Sequence, residues 1–322
     1  MTEPARAARA HALRMRARLN THIRAFFAER DVLEVETPIL SAAGNTDPNI
    51  ESFSTGFSGH VDAGSRERWL RTSPEFPMKR LLAEGIGDCY ELGRVFRNGE
   101  AGARHNPEFS MLEWYRVGWD HRRLMDEVAA LIASALALVG RVASRRDISY
   151  RDWFHESLAL DPHAATIAQL QSILSGSRID GSGLERDDWL DLVISHRLQP
   201  ANPPDRLLLV HDYPASQCAL ARVRAGDPPV AERFEAYLGN RELANGYHEL
   251  NDADEQRRRF ERDRQWRAAR GMACPAIDEA LLRILPALPD CAGVAMGVDR
   301  LLMCLLGVDD LRGVLAFEFA RA

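Results

Sequence analysis

The sequence predicts an α+β protein, a mostly antiparallel sheet flanked by helices with a small helical insertion at about 145–205. Three observations carry that prediction: strand-like alternation in runs joined by polar loops, helical periodicity at both ends of the chain, and a change of composition between the runs. The opening "ARAARAHALRMRARLN" is Arg-rich and acid-poor like a transit peptide. However, Met15, Leu19, Ile23, Phe26 and Phe27 recur at steps of three and four, the mark of an amphipathic helix that packs. "DVLEVETPIL" then alternates as a strand until Pro38 stops it. After a glycine- and polar-rich segment (44–66), "RWLRTSPEFPMKRLLAEG" reads as a strand leading into a helix that starts at Ser73-Pro74-Glu75. "CYELGRVFR" and "FSMLEWYRVGW" read as antiparallel strands joined by a polar loop, with a helix following at 121–139.

From 145 to 205 Asp, Ser, Gly and Pro cluster and short helical patterns replace the strands. Strand periodicity returns at "RLLLVHDYP" (206–214) and "FEAYLGNRELANGYHEL" (234–250). The charged run 253–271 reads as a helix whose mixed signs predict a solvated face. "CAGVAMGVDRLLMCLLG" closes the pattern as a glycine-punctuated strand running into an apolar helix.

With 322 residues, 46% hydrophobic and 27% charged, the chain is long enough for one large core or a core with an insertion. Its net charge of -6 excludes a global attraction for nucleic acid or an anionic membrane. Forty of the 41 basic residues are arginine and Lys79 is the one lysine, which reads as a coding bias. Cys89, Cys218, Cys274, Cys291 and Cys304 lie far apart without a C-x-x-C pair. That excludes a zinc pattern or disulfide framework and fits a reducing cytoplasm. The most apolar stretch, 128–139, is too short to span a bilayer and predicts a buried or interface helix.

Three separated segments carry chemistry. In "RVFRNGEAGARHNPEFSMLEWYR" (94–116), Arg97 can grip a phosphate with its planar fork, with His105 and Arg104 reaching further phosphate oxygens, and Phe109 offers a stacking face. The same residues also fit a hairpin with a charged tip. Glu235, Glu242, Asn245 and Glu249 fall within fifteen residues; strict alternation puts Glu242 on the face opposite Glu235, so a bulge or turn near Gly239 is needed to unite them. United carboxylates call for a cation such as Mg²⁺, whereas separated ones make an edge strand with solvated acids. In "GVAMGVDR" (293–300), glycines permit close backbone approach beside Arg300, and the spacing is not that of a dinucleotide fingerprint.

Together and in this order, these segments resemble the three signature motifs of class II aminoacyl-tRNA synthetases: "TPIL" motif 1, the Arg97 loop motif 2, and Gly297-Val298-Asp299-Arg300 motif 3. "SPE…MKRLL", "HNPEF" and "ELANGYHELND" are similar to the lysine-type members. Only about thirty residues, one helix, precede motif 1, where bacterial lysyl-tRNA synthetases carry an anticodon-binding barrel. The chain therefore resembles the synthetase paralogues that attach (R)-β-lysine to a lysine side chain of elongation factor P. The resemblance implies an ATP-dependent ligase forming an aminoacyl-adenylate, elongation factor P rather than tRNA as acceptor, and a homodimer built on motif 1. A truncated synthetase acting on tRNA, or an inactive regulatory paralogue, stands as the alternative.

The resemblance also implies roles. Arg97 binds the α-phosphate; Arg300 binds the γ-phosphate end and covers the adenine; Phe109 stacks the other face of the base. Asn98, Gly99, Glu100, His105, Asn106, Glu242 and Gly297 complete the ATP contacts, with Asn106 bonding the base, and Glu235 and Glu242 hold Mg²⁺. Ser73 and Glu75 meet the backbone-side amine. Glu249 and Tyr115 meet the distal ammonium, with Asn245 nearby and Glu113 in support. The sequence departs from the family at two places. Ala295 stands where lysyl-tRNA synthetases carry glycine, which reshapes the floor of the amino-acid pocket. Gly99 stands where an acidic ATP contact is usual, with Glu100 one place further on.

Overall fold

The computed structural model describes residues 3–322. The chain divides into two compact units, one made of the chain up to Trp119 together with Leu250–Ala322, the other of Asp120–Glu249.

The first unit opens with α1 (Glu3–Ala28), whose Met15, Leu19, Ile23, Phe26 and Phe27 are all buried, as their spacing predicts. Phe27 stacks on Tyr90 with ring centroids 4.4 Å apart and meets Trp114 edge-on at 5.4 Å. The expected strand after it is two fragments, β1 (Leu33–Glu34) and β2 (Leu40–Ser41). Thr37 explains the break: it donates its backbone N–H and its hydroxyl to the Glu91 carboxylate, at 3.0 and 2.7 Å, instead of to a neighbouring strand. β3 (Ser54–Gly56) and β4 (Glu67–Leu70) join β2 in a small antiparallel sheet of order β2-β4-β3. Then come α2 (Glu75–Ala83) and the antiparallel pair β5 (Cys89–Phe96) and β6 (Glu108–Val117).

The second unit begins at α3 (His121–Ala137), capped by the Asp120 carboxylate, which accepts from the Arg123 N–H at 2.8 Å. The apolar stretch of α3 is core: Val128, Leu131, Ile132, Ala135 and Leu136 are buried. The stretch 145–205 starts in a strand, β7 (Ser144–Ser149), and continues in α4 (Tyr150–Leu158), α5 (Ile167–Ile173) and α6 (Arg186–Val193). β8 (Arg206–Pro214), β9 (Val223–Arg224), β10 (Val230–Leu238) and β11 (Arg241–His248) follow. Strand order is β11-β10-β8-β7 with β9 beside β10; only the β7–β8 pair is parallel. Tyr150, Phe154, Trp189, Leu190, Val210 and Tyr237 lie at the centre of this unit's core.

The chain re-enters the first unit through α7 (Ala253–Ala269), α8 (Glu279–Ile284), β12 (Cys291–Gly297) and α9 (Val298–Leu306). α7 corrects the expectation of a merely solvated charged face. Arg267 is wholly buried, donating from Nε to Ala273 O at 2.6 Å and from Nη1 to Asp47 O at 2.8 Å, and it pairs with Glu51. A guanidinium has five donors and survives burial only when such acceptors surround it. β12 runs antiparallel to β6, so the order in this unit is β1-β5-β6-β12, with β1 parallel to β5.

Register decides what this sheet presents. Cys89, Glu91 and Gly93 of β5 stand opposite Tyr115, Glu113 and Met111 of β6, which stand opposite Gly293, Ala295 and Gly297 of β12. Alternation sends these nine to one face and Tyr90, Trp114, Val294 and Met296 to the other, where Phe27 packs. On the first face Arg71 Nη1 lies 2.5 Å from Glu91 Oε1, both side chains buried, while Arg71 Nε donates to Arg94 O at 3.0 Å. A Cβ at residue 93 would stand 2.5 Å from the Arg71 guanidinium, so only glycine leaves room for this pair. Removing one partner of a buried ion pair costs about 3–5 kcal/mol. Glu91→Ala is therefore expected to lower the unfolding free energy in urea by at least about 3 kcal/mol; a loss below about 1 kcal/mol would mean that the pair is effectively solvated.

Candidate active site

The middle row of that sheet face reads Ala295, Glu113, Glu91. Both carboxylates are buried. Glu91 is met by Arg71 and Thr37, whereas Glu113 accepts from Ser73 Oγ at 2.6 Å and from the Tyr115 hydroxyl at 2.8 Å. Ser73 Oγ also accepts from the Glu75 N–H at 3.0 Å and so sets the start of α2. The Glu75 carboxylate receives Lys79 Nζ at 2.6 Å, one turn along the helix. Five expected amino-acid-site residues, Ser73, Glu75, Tyr115, Ala295 and the supporting Glu113, thus come together in the first unit. Burial foremost, then Asp88, Glu113 and Glu91, push the Cys89 thiol up to about 12, so the cysteine beside this row stays protonated and inert.

The loop between β5 and β6 turns at Gly99 with φ of 79°, a left-handed conformation that favours glycine over the acidic residue usual there. Asn98 anchors it by donating its N–H to Glu51 O at 2.8 Å, the same Glu51 that Arg267 grips. The Arg97 guanidinium lies over the Phe109 ring, 5.2 Å from its centroid, and Nη1 is 3.8 Å from Glu100 Oε1. Arg97 Nε is buried and makes no hydrogen bond. A buried, unsatisfied guanidinium donor above an aromatic ring fits an anionic nucleotide, whose phosphate oxygen would complete the donor's bonding. Glu100 is turned to Arg97. Asn106 is engaged at both ends: Nδ2 donates to Glu108 O at 2.6 Å and Oδ1 accepts from the Phe319 N–H at 3.1 Å.

Arg300 leaves the first turn of α9 with its stem over Gly297 and donates from Nη2 to His105 Nε2 at 2.8 Å. Its neighbour Asp299 was missed in the sequence reading. Asp299 is buried, pairs with Arg16 of α1, and accepts from the Ser110 N–H at 2.8 Å, which pins α9 to α1 and β6. A signal was available, since Asp299 and Arg300 are the only charges in the apolar run 291–307.

In the second unit the chain turns at Gly239, φ 57°, and the register then slips: Glu235 pairs with Asn245, Ala236 with Ala244, but Tyr237 with Glu242. Leu243 is the extra residue of this bulge. It returns Glu242 to the face of Glu235 and Asn245, the outcome strict alternation forbids. Arg233 donates to Glu235 Oε1 at 2.5 Å and the Tyr237 hydroxyl donates to Oε2. Each carboxylate oxygen keeps a further lone pair, and two hard oxygen donors on one face fit Mg²⁺. Burial, then the charges of Glu235 and Glu242, hold the Tyr237 phenol well above its ordinary value, so it remains a donor. Asn245 Nδ2 donates to the Tyr247 hydroxyl at 3.1 Å while its Oδ1 is buried without a hydrogen bond. Glu249 is buried and its carbonyl accepts from Arg222 Nε at 2.7 Å.

The chain matches the model of the class II tRNA synthetases (D, K and N) over residues 3–321, and it belongs to that family. More particular relatives exist. It is 46% identical over 314 residues to the elongation factor P–(R)-β-lysine ligase of Vibrio cholerae, covering 96% of both chains. Proteins of the same name from Yersinia enterocolitica and an Enterobacter species are 47% and 46% identical over 311 residues, covering 95% of this chain and 94% of theirs.

Burial, then the Arg300 charge, lower the His105 pKa below 6.5, which keeps Nε2 an acceptor for Arg300 at neutral pH. An NMR titration of Arg300→Gln should find the His105 pKa raised toward 6.5; an unchanged value would rule out the contact.

Proposed function

We propose that the chain activates (R)-β-lysine, or lysine, with ATP and transfers the acyl group to a lysine side chain of elongation factor P, as a cytoplasmic homodimer. The observation that carries this reading is 46% identity running through 96% of a ligase of that name, rather than through a shared domain alone. The presence of Arg97, Arg300, Glu235 and Glu242 speaks for an active member of the family.

In the first step a substrate carboxylate oxygen bonds to the α-phosphorus of ATP and pyrophosphate leaves. In the second, the acceptor amine attacks the acyl carbon, loses a proton, and AMP leaves. Catalysis of the first step is alignment and charge stabilisation. Arg97, whose buried Nε awaits an acceptor, takes the α-phosphate; Arg300 exchanges His105 for the γ-phosphate end and covers the base opposite Phe109. Asn98 and Gly99 shape the loop, and Glu100 keeps Arg97 in place. Glu235 and Glu242 would hold Mg²⁺, which supplies positive charge to the departing pyrophosphate. Glu75, fixed by Ser73 and Lys79, receives the amine near the carboxylate. Tyr115, Asn245 and Glu249 receive the distal ammonium, and a substrate lacking that cation would forgo a charge-assisted contact with the buried Glu249.

Incubating purified elongation factor P with the enzyme, ATP and either lysine isomer should add one acyl group to the factor, read by intact-mass spectrometry. Acylation of tRNA instead, with the factor unchanged, would replace this reading by a tRNA-charging one. Arg97→Ala should lower amino-acid-dependent pyrophosphate exchange about 10²–10³-fold. Ala295 stands directly opposite Glu113, so Ala295→Gly is expected to shift preference toward α-lysine in the same exchange assay; an unaltered preference removes the methyl from the account.

A further inference from the structure

We infer that the second unit carries a binding site for a divalent transition metal of the zinc type, formed by His121, Glu232 and His248. Each offers one ligand atom, and the three atoms lie within 4.8 Å of one another. None belongs to the residues given roles in the ligase reaction. Glu232 and His248 project from the face of β10 and β11 opposite Glu235 and Asn245, and His121 is the first residue of α3.

Two observations point to a ligand rather than to a closed hydrogen-bond network. His121 is 2% exposed, yet neither of its ring nitrogens makes a hydrogen bond. An imidazole so buried and unsatisfied is unfavourable by itself, and coordination would use one nitrogen. Beside it, Asp212 Oδ1 lies 3.4 Å from His121 Nε2, and Asp212 holds a left-handed backbone at φ 58° to be there. A carboxylate against a ligand histidine is the neighbour that orients metal-bound imidazoles.

Two histidines and a carboxylate form a donor set that zinc accepts, with one position left for solvent. Glu232 Oε2 now meets His248 Nδ1 at 2.6 Å, and Oε1 meets Arg224 Nη1 at 3.1 Å. A metal would replace the hydrogen between Glu232 and His248, the imidazole keeping its proton on Nε2. Arg122 and Arg224, which also approach Asp212 at 3.3 and 3.0 Å, have half-exposed side chains and can withdraw their charge into solvent.

The test is titration of the chelator-stripped full chain with Co²⁺, followed by displacement with Zn²⁺. One equivalent should bind with a d–d spectrum free of thiolate charge transfer, and Zn²⁺ should displace it. His121→Asn, His248→Asn and Glu232→Gln should each weaken binding at least about tenfold, whereas Cys274→Ser, at the exposed cysteine, should leave it unchanged. Should a histidine variant fail to fold by circular dichroism, Glu232→Gln, nearly isosteric, decides alone. Absence of stoichiometric binding, binding indifferent to these substitutions, or binding lost with Cys274 would each overturn the site. The readout is independent of ligase activity.

Discussion

Two carboxylates that should repel set the terms of the first unit. Glu91 and Glu113 stand directly opposite one another on β5 and β6, both buried. Cross-strand side chains so paired have Cβ atoms about 5 Å apart, and like charges there are destabilising. The structure holds each acid by a separate set of partners. Glu91 takes the Arg71 cation and both donors of Thr37; Glu113 takes the hydroxyls of Ser73 and Tyr115. Much of the local sequence follows from that division. Gly93 must be glycine to admit Arg71, the expected strand must break at Thr37, and Ser73 must stand ahead of α2 with one oxygen serving both Glu113 and the Glu75 N–H.

A second set of buried charges fixes the loop that carries Arg97. Arg267 reaches Glu51 and Asp47, and Glu51 receives the Asn98 N–H through its carbonyl, so a helix late in the chain sets the residue next to Arg97. Asp299 does the same for Arg300, tying the start of α9 to Arg16 and to Ser110 of β6. Partners placed far apart in sequence make such anchors sensitive to any movement of one element. Arg97 and Arg300 are held by backbone with several anchors, while their own guanidinium groups meet a ring face, a glutamate at 3.8 Å and an imidazole.

Elements whose pattern depends on one face were legible in the sequence. The α1 stripe, the start of α2 at Ser73 and the β5–β6 hairpin stand where alternation and capping residues put them. The turn at Gly239 was legible because glycine marks it, and alternation called for a bulge or turn near it; the bulge's place at Leu243 was not legible, since an extra residue in a ladder has no composition of its own. Arg267 lies in a run whose mixed charges predict a solvated face, and Asp299 enters only as a letter of motif 3, for a shared reason. Periodicity ranks residues by polarity, whereas a buried ion is decided by acceptors more than 200 residues away for Arg267 and a partner more than 280 away for Asp299. The expectation of a buried or interface helix over 128–139 is met on its buried side by Val128, Leu131, Ile132, Ala135 and Leu136 of α3.

Lys79 turns the arginine bias into information. A chain that uses arginine at forty of 41 basic positions has kept lysine once, at a site 1% exposed and 2.6 Å from Glu75. On a solvated surface the two residues are interchangeable, so a bias in coding can proceed unopposed; in a closed space they are not. The ammonium is a compact charge with three donors, whereas a guanidinium brings a planar fork and five. In a space closed by burial, on the helix that also buries Met78 and Leu82, the larger group would need more acceptors and more volume. Lysine at this position pairs with the half-buried Glu75 carboxylate and fixes its rotamer, while Ser73 accepts from its backbone N–H. The residue that escaped the bias is thus the one buried beside the Glu75 carboxylate.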